Sequence, residues 1–191
     1  MAESRGTIDR TQYPPAGTWE FDKNHTHIGF VARHMISRVR GAFEEFDGTI
    51  VIGEDPLESS VEVEIQAASV QTRTGMRDDH LRSPDFLDVE RFPTLTFRSR
   101  EIRPTGETTF ELVGDLTIRD VTREVVLAAE FLGWGPGLQP DGSQMAGFTA
   151  STELVRQDWD LTWNVAVETG GWLVGDKVTI EIDTELLKAS D

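Results

Sequence analysis

The histidines and a compact group of charged residues are the side chains of this sequence most able to do chemistry. His25 and His27 are two residues apart in a strand-like stretch, so they would share one face and could bind a divalent metal. A metal would need further ligands, which His34 or His80 would have to supply from elsewhere. We therefore expect no metal site, and we interpret the pair as hydrogen-bonding side chains near a barrel mouth.

A dense polar cluster follows further along the chain, where Arg77, Asp78, Asp79 and His80 are consecutive. An arginine and a histidine at the mouth of a pocket could hold a polar or anionic head group, because both donate hydrogen bonds. The alternative is that Arg77 and Asp78 pair with each other and with neighbouring loops to fix a lid.

Composition and missing motifs exclude several classes of site. The 191 residues include no cysteine, which removes disulfides, thiolate metal sites, iron–sulfur clusters and cysteine nucleophiles. Neither a Gly-x-Ser-x-Gly elbow nor a Gly-x-x-x-x-Gly-Lys phosphate loop occurs. With 34 acidic against 18 basic side chains, the net charge of −16 argues against a nucleic-acid partner. We expect no catalytic residues and no cofactor.

The elements that would position these residues are strands, because apolar and polar residues alternate with period two. In residues 61–66, Val and Ile alternate with Glu and Gln, which is typical of a strand with one face in water. Similar alternation marks residues 110–118, 125–131, 148–154 and 178–183. Because Gly, Pro and Asp residues separate the runs, the pattern predicts an antiparallel sandwich or barrel in one domain.

A single segment carries a clear helix signal. Ser83 as N-cap, followed by Pro and Asp, predicts a short helix over residues 84–90. Residues 72–81 are too polar for a strand, so they could be a loop or irregular helix that covers or flanks one barrel end. Residues 31–37 could form a second brief helical piece.

Strand periodicity does not distinguish a filled interior from a hollow one. A barrel of about eight strands is near the size at which side chains either fill the interior or leave room for one ligand. Gly29, Gly114, Ala129 and Ala150 fall among the expected inward residues, and such small side chains favour a cavity. The alternative is that small and large residues interdigitate in a tight core.

The first 17 residues are predicted to be a disordered N-terminal arm, and residues 18–188 the folded domain. The arm carries charges and lacks the apolar core of a secretory signal. The longest run without a charged side chain, residues 142–152, is far shorter than the roughly 20 apolar residues of a transmembrane helix. We expect a soluble, cytoplasmic protein.

A series of short motifs follows in a characteristic order along most of the chain. They are DKNHTHIGF at 22–30, VRGAF at 39–43, SVQT at 69–72, RDDHLRS at 77–83, FPTLTF at 92–97, GDLTI at 114–118 and GDKV at 175–178. In order and spacing this series resembles the YceI-like family, and the resemblance covers about residues 17–187.

The resemblance implies an all-β fold, namely an eight-stranded antiparallel lipocalin-like β-barrel with one or two short helices. Its elongated apolar interior would hold a long-chain isoprenoid or similar amphiphilic lipid. The residues expected to line the cavity are Phe30, Phe97, Phe110, Leu112, Leu116, Leu127, Phe148 and Ile180. The residues expected at its polar end are His25, Arg77, Asp78 and His80.

The function we expect is that of a binding protein that sequesters or carries the lipid without catalysis, and that could pair as a homodimer. One alternative is an enzyme acting on such a lipid through His25, Arg77 and His80, although no nucleophile–base pair is visible. The other is a stress-related interaction module whose barrel is filled and whose surface does the work.

Overall fold

The computed structural model describes residues 12–137, 142–168, 170–171 and 173–189, which form eleven strands, one α-helix and short 3-10 helices. The strands are β1 (Gly17–Phe21), β2 (His27–His34), β3 (Ser37–Phe43), β4 (Phe46–Ile52), β5 (Ser60–Gln66), β6 (Val70–Gln71), β7 (Thr94–Pro104), β8 (Thr109–Ile118), β9 (Val121–Pro136), β10 (Gln144–Val155) and β11 (Val174–Lys188). The α-helix is α1 (Gly75–Arg82), and the 3-10 helices are Pro56–Glu58, Ala67–Ser69 and Arg156–Trp159. Across the described ranges, a membrane-spanning helix is absent.

Eight of these strands close into a barrel. Their order around the ring is β1, β4, β5, β7, β8, β9, β10 and β11, and β11 pairs again with β1. Trp19 of β1 lies opposite Ile50 on one side and opposite Lys188 on the other. Ring closure gives each of these strands a partner on both sides and directs alternate residues inward. The predicted eight-stranded antiparallel barrel is confirmed.

The barrel wall divides where β1 ends. β1 and β2 pair with the same edge of β11, one after the other: Phe21 lies opposite Leu186, and His27 opposite Asp183. β2 then pairs with β3, and β3 with β6, so these three strands extend the sheet beyond the ring of eight. Residues 22–26 cross the division between β1 and β2.

The prediction of a helix over residues 84–90 is wrong, because α1 lies one segment earlier, within the stretch interpreted as loop or irregular helix. Residues 84–87 form turns. The amide of Asp88 donates to the Ser83 carbonyl, so the chain folds back on the end of α1 instead of starting a helix. Ser83 ends α1, and its hydroxyl donates to the His80 carbonyl at 2.7 Å.

Residues 31–37 are also not helical. They comprise the end of β2, a two-residue turn and the first residue of β3. Met35 adopts a left-handed φ of 52°, the region that tight hairpin turns use. Pairing of β2 with β11 and β3 therefore outweighs the local helical tendency of this segment.

The alternation predicted for the strands is confirmed by burial. The apolar residues predicted to point inward belong to the core or pack against it. Glu62, Glu64, Glu181 and Asp183 are exposed on the outer face. Period-two patterning therefore fixes which face of each strand forms the interior.

Residues 1–11 of the predicted arm lie outside the described residues. The remainder of that segment packs on one end of the barrel: the Tyr13 ring stacks on Phe131 with centroids 6.0 Å apart, and the Trp19 indole donates to the Pro15 carbonyl at 3.1 Å. Gly17 begins β1. The division into an arm and a domain over residues 18–188 stays a prediction.

Candidate functional site

The eight side chains predicted to line a cavity lie on strands of the ring, except Phe30, which lies on β2. Phe97, Leu112 and Leu127 are buried in the main core cluster. The other five are partly buried and pack against the core: Phe30, Phe110, Leu116, Phe148 and Ile180. All eight therefore belong to the apolar core or pack against it, and their role in lining a ligand cavity stays a prediction.

Aromatic packing seals one end of the barrel, here called the closed end. Trp19 is completely buried there and packs with Ile50, Phe131 and Leu186. Phe148 borders this cluster from the interior, with its ring centroid 5.2 Å from that of Phe131. A ligand in the barrel would therefore not extend through the closed end.

The interior is not fully occupied along β10 and β11. Ala150 and Ile182 lie opposite each other on these strands and point inward, yet both remain partly accessible. Both strands have neighbours on either side, so outside solvent does not reach their inner face through the wall. The accessible surface therefore indicates space inside the barrel. Ala150 also lies opposite Ala129 of β9, so two small inward side chains meet at this level.

Gly29 and Gly114 do not create space in the interior, contrary to the prediction from the sequence. A Cβ on Gly114 would lie 2.6 Å from the Phe97 ring, so that ring already covers the glycine. Gly29 faces outward, where a Cβ would lie 2.4 Å from the His27 imidazole. Small residues therefore leave room only where no aromatic ring on a neighbouring strand covers them, as at the alanine pair.

Arg77 and Asp78 of α1 are held by one threonine. The amide and hydroxyl of Thr72 donate to Asp78 Oδ1 at 2.7 and 2.5 Å. Arg77 Nε donates to the Thr72 hydroxyl at 2.7 Å, and Arg77 Nη2 donates to the Thr72 carbonyl at 2.9 Å. Thr72 thus links the two charged side chains and fixes the chain as it enters α1.

His80 belongs to an aromatic cluster at the end of the barrel remote from Trp19, here called the helix end. Its ring meets Trp163 edge to face with centroids 4.5 Å apart, and Phe86 at 5.1 Å. His80 Nε2 lies 2.8 Å from a carboxylate oxygen of Asp85. Because Trp163 lies beyond the end of β10, this cluster places α1 beside the helix end.

His25 lies apart from α1, at the division of the wall between β1 and β2. Its Nδ1 lies 2.8 Å from Asp22 Oδ2 and 3.9 Å from Glu185 Oε1. The three ligand atoms all lie within 4.8 Å of one another, so an imidazole and two carboxylates could hold a divalent cation here. His27 is directed over Gly29 and is not part of this group. The four residues predicted at the polar end therefore form two separate groups.

Comparison with known proteins identifies the family. A family model for the YceI-like domain matches residues 19–186. The chain belongs to the YceI-like family. A UPF0312 protein of Ectopseudomonas mendocina is 40% identical over 151 residues, covering 77% of this chain and 78% of that protein. A UPF0312 protein of Staphylococcus aureus is 33% identical over 168 residues, covering 86% and 94%.

Solved structures share the barrel of this YceI-like chain. The YceI protein of Campylobacter jejuni is 27% identical with a TM-score of 0.71, covering 83% of this chain and 90% of that one. A polyisoprenoid binding domain from Saccharophagus degradans has a TM-score of 0.66, covering 90% of this chain and 98% of that one. Its sequence identity is 12%, so this second likeness shows the fold alone.

A buried arginine that none of the sequence motifs reveals lies at the helix end of the YceI-like barrel. Arg156 is 4% exposed, and its guanidinium donates to the carbonyls of Gly175, Leu161 and Trp163. Burial lowers the pKa of Arg156 from its usual high value. The alternation of inward and outward residues could have revealed it. Arg156 is two residues after Leu154, the last inward residue of β10, and so is expected to point inward too.

The His25–Asp22 pair should make the stability of the YceI-like barrel depend on pH. The hydrogen bond with Asp22 raises the pKa of His25, and the same bond lowers the pKa of Asp22. The stabilisation is therefore complete between about pH 4 and pH 6.5, the usual values of the two groups. It disappears as the pH rises through the raised pKa of His25, because the neutral imidazole loses the ion pair.

We expect the melting temperature of the wild type to exceed that of His25→Gln most at about pH 5.5, and the difference to shrink by about pH 8.5. Thermal melts across this range measure the effect. His27→Gln, which removes another exposed imidazole nearby, is the control. A difference for His25→Gln that is constant across the range would contradict the assignment.

Proposed function

We propose that this YceI-like protein binds a long-chain isoprenoid or similar amphiphilic lipid inside the barrel, and sequesters or carries it without catalysis. The observation that carries the proposal is the accessible inner surface at Ala150 and Ile182, within a ring of apolar side chains. Burial of about ten methylenes would contribute about 8 kcal/mol, so a long tail could bind tightly without any reaction. The likeness in fold to the polyisoprenoid binding domain from Saccharophagus degradans supports this ligand class.

The lipid would lie with its polar end towards α1. Trp19 seals the closed end with apolar contacts, which would leave a head group there without hydrogen bonds. At the helix end, Arg77 Nη1 and His80 Nδ1 remain for a head group, because within the described residues Thr72 and Thr74 bind the other Arg77 nitrogens and Asp85 binds His80 Nε2. Asp78 supports this end indirectly, because its Oδ1 accepts two hydrogen bonds from Thr72. His25 belongs to the separate group with Asp22 and Glu185, so we do not assign it to this head-group site.

The absence of catalysis is proposed because the predicted lining offers no reactive group. All eight lining residues are Phe, Leu or Ile, so none can act as nucleophile or general base. The alternative of a filled barrel is disfavoured by the space at Ala150. The alternative of an enzyme would require a nucleophile beside His80, whereas in the described residues its ring contacts Asp85, Phe86 and Trp163 and no hydroxyl is bonded to it.

Native mass spectrometry of the purified protein, before and after incubation with geranylgeraniol, tests this function. We expect a complex of the chain with a single lipid, and recovery of that lipid by organic extraction. The same titration with phytane, a hydrocarbon of equal length without the hydroxyl, tests the polar end. The alcohol should bind more tightly to the wild type, and Arg77→Ala should remove this preference. A ligand-free mass at every lipid concentration would overturn the proposal.

A further inference from the structure

The β2–β3 hairpin is basic in an otherwise acidic protein. Residues 23–43 contain no Asp or Glu, although the chain has 34 of them among 191 residues. The same stretch carries Lys23, Arg33, Arg38 and Arg40. The hairpin therefore presents positive charge on a chain whose net charge is −16.

Two of these arginines stand directly opposite each other. The register pairs Arg33 of β2 with Arg38 of β3, and both residues are exposed. Like charges in this position destabilise an antiparallel pair. Arg33 donates to the Met35 carbonyl at 3.1 Å, and within the described residues Arg38 makes no side-chain hydrogen bond or ion pair. No carboxylate in the described chain relieves the repulsion, which a bound external anion would relieve.

The turn that joins these arginines is apolar and exposed to solvent. Ile36 is fully exposed, and Met35 is nearly half exposed. The Met35 amide donates to the Leu173 carbonyl at 2.8 Å, and the Leu173 amide donates to the carbonyl of Val165, which is also exposed. These backbone bonds hold an apolar edge next to the arginine pair.

A groove of about 400 Å³ runs along the outer face beside the arginine pair. Its walls include Val31 together with Arg33 and Arg38. Arg40 on the same wall is paired with Glu181 at 3.0 Å, so its charge is balanced. The uncompensated positive charge of the groove therefore comes from Arg33 and Arg38.

We propose that this hairpin docks on the surface of an anionic lipid bilayer, with Met35 and Ile36 in the interfacial region and Arg33 and Arg38 bound to lipid phosphates. Guanidinium groups bind phosphate through two parallel hydrogen bonds. Apolar side chains flanked by basic ones are typical of segments that lie in a bilayer interface. The inference rests on the proposed function, because a lipid carrier collects or releases its ligand at a membrane.

The charge of the remaining chain would orient the protein on such a bilayer. Acidic faces are repelled by anionic lipids, so contact is confined to the hairpin. At physiological salt this repulsion is screened beyond about 8 Å, whereas the two arginines meet the phosphates directly. Each basic residue near an anionic surface raises partitioning about fivefold, so the pair should contribute about 25-fold.

Flotation with vesicles tests the docking. The wild type should float with vesicles of phosphatidylcholine and phosphatidylglycerol, should bind less as salt rises, and should not float with pure phosphatidylcholine. Arg33→Gln with Arg38→Gln should weaken binding about 25-fold without lowering the melting temperature, because the change removes a like-charged pair. Ile36→Ser should also weaken binding. A wild type that fails to float with the anionic vesicles would overturn the proposal.

The matched control is Arg98→Gln with Arg103→Gln, which removes the same charge from exposed arginines paired with Glu62 and Glu101. This control should float like the wild type, and equal losses in both double variants would overturn the proposal. Binding of the hairpin to polyglutamate but not to vesicles would also overturn it, and would indicate an acidic protein partner.

Native mass spectrometry with geranylgeraniol on the same variants distinguishes failure of the docking from failure of the proposed function. The hairpin double variant should bind the lipid like the wild type in this assay, because neither arginine lies on the inner face. Flotation that depends on the hairpin, combined with no lipid in the barrel, would remove the proposed function and leave the docking surface in place.

Discussion

The Ala150→Phe variant should lose its affinity for geranylgeraniol by about a hundredfold or more while remaining folded. Ala150 points into the barrel, lies opposite Ala129 on one side and Ile182 on the other, and remains partly accessible. A phenyl ring there would occupy space equivalent to several methylenes of ligand. Loss of about four methylene contacts corresponds to roughly 3 kcal/mol of binding free energy.

The control for this change is Ala128→Phe. Ala128 adjoins Ala129 on β9 but points to the outer face, where it is exposed. It should leave lipid binding unchanged, as measured by titration in native mass spectrometry. If the interior were filled, Ala150→Phe would instead overpack it and lower the free energy of unfolding by about 1–3 kcal/mol. That result, with no lipid bound to the wild type, would favour the interaction module.

Replacing Arg156 by Met should lower the free energy of unfolding by about 3–5 kcal/mol, the largest stability effect we expect in this protein. The guanidinium donates to carbonyls from three parts of the chain, those of Gly175, Leu161 and Trp163. Methionine fills similar volume but donates nothing, so these carbonyls lose their donors. Each buried polar group left unpaired costs about 1–3 kcal/mol.

Urea denaturation measures this loss, and Arg123→Met is the matched control. Arg123 is exposed, and within the described residues its one side-chain hydrogen bond is to the Asp158 carbonyl at 3.2 Å. Its replacement should cost less than about 1 kcal/mol. Arg156→Lys should fall between the two, because one ammonium cannot reach three separate carbonyls. Equal losses for Arg156→Met and Arg123→Met would contradict the anchoring role.

The architecture and the inner faces could be predicted from the sequence because both depend on a period-two pattern. In β8 and in residues 125–131 of β9, every second residue is apolar or glycine, and a one-residue slip would turn all of them outward. Such a pattern is read directly from residue types. If the same alternation is continued past the end of β10, it predicts that Arg156 points inward.

The position of the helix could not be predicted in the same way. α1 is polar along its length, so it carries no apolar period. The start of α1 is held by the hydrogen bonds from Thr72 to Asp78, which form only when the chain has folded around that threonine. The Ser83-Pro-Asp signal is a genuine preference for a helix start, but backbone bonds to the end of α1 prevail over it.

The polar residues of the candidate site likewise depend on topology. His25 and His80 look equivalent in the sequence, yet one lies at the division between β1 and β2 and the other beside Trp163. Which small residues leave space depends on the neighbouring strand, because Phe97 covers Gly114 whereas Ala129 faces Ala150. These placements require the strand register, which residue types alone do not specify.

The closure of the ring by β1 and β11 makes completion of the barrel depend on two strands that are far apart in the sequence. Trp19 and Lys188 are opposite each other, although nearly the entire chain separates them. Contacts between residues so far apart in the sequence form slowly, because a long loop must close first. The edges of β1 and β2 that pair with β11 therefore stay unpaired until β11 has been synthesised. The ring cannot close before β11 is available, so the contact between β1 and β11 forms late in folding, after the local hairpins.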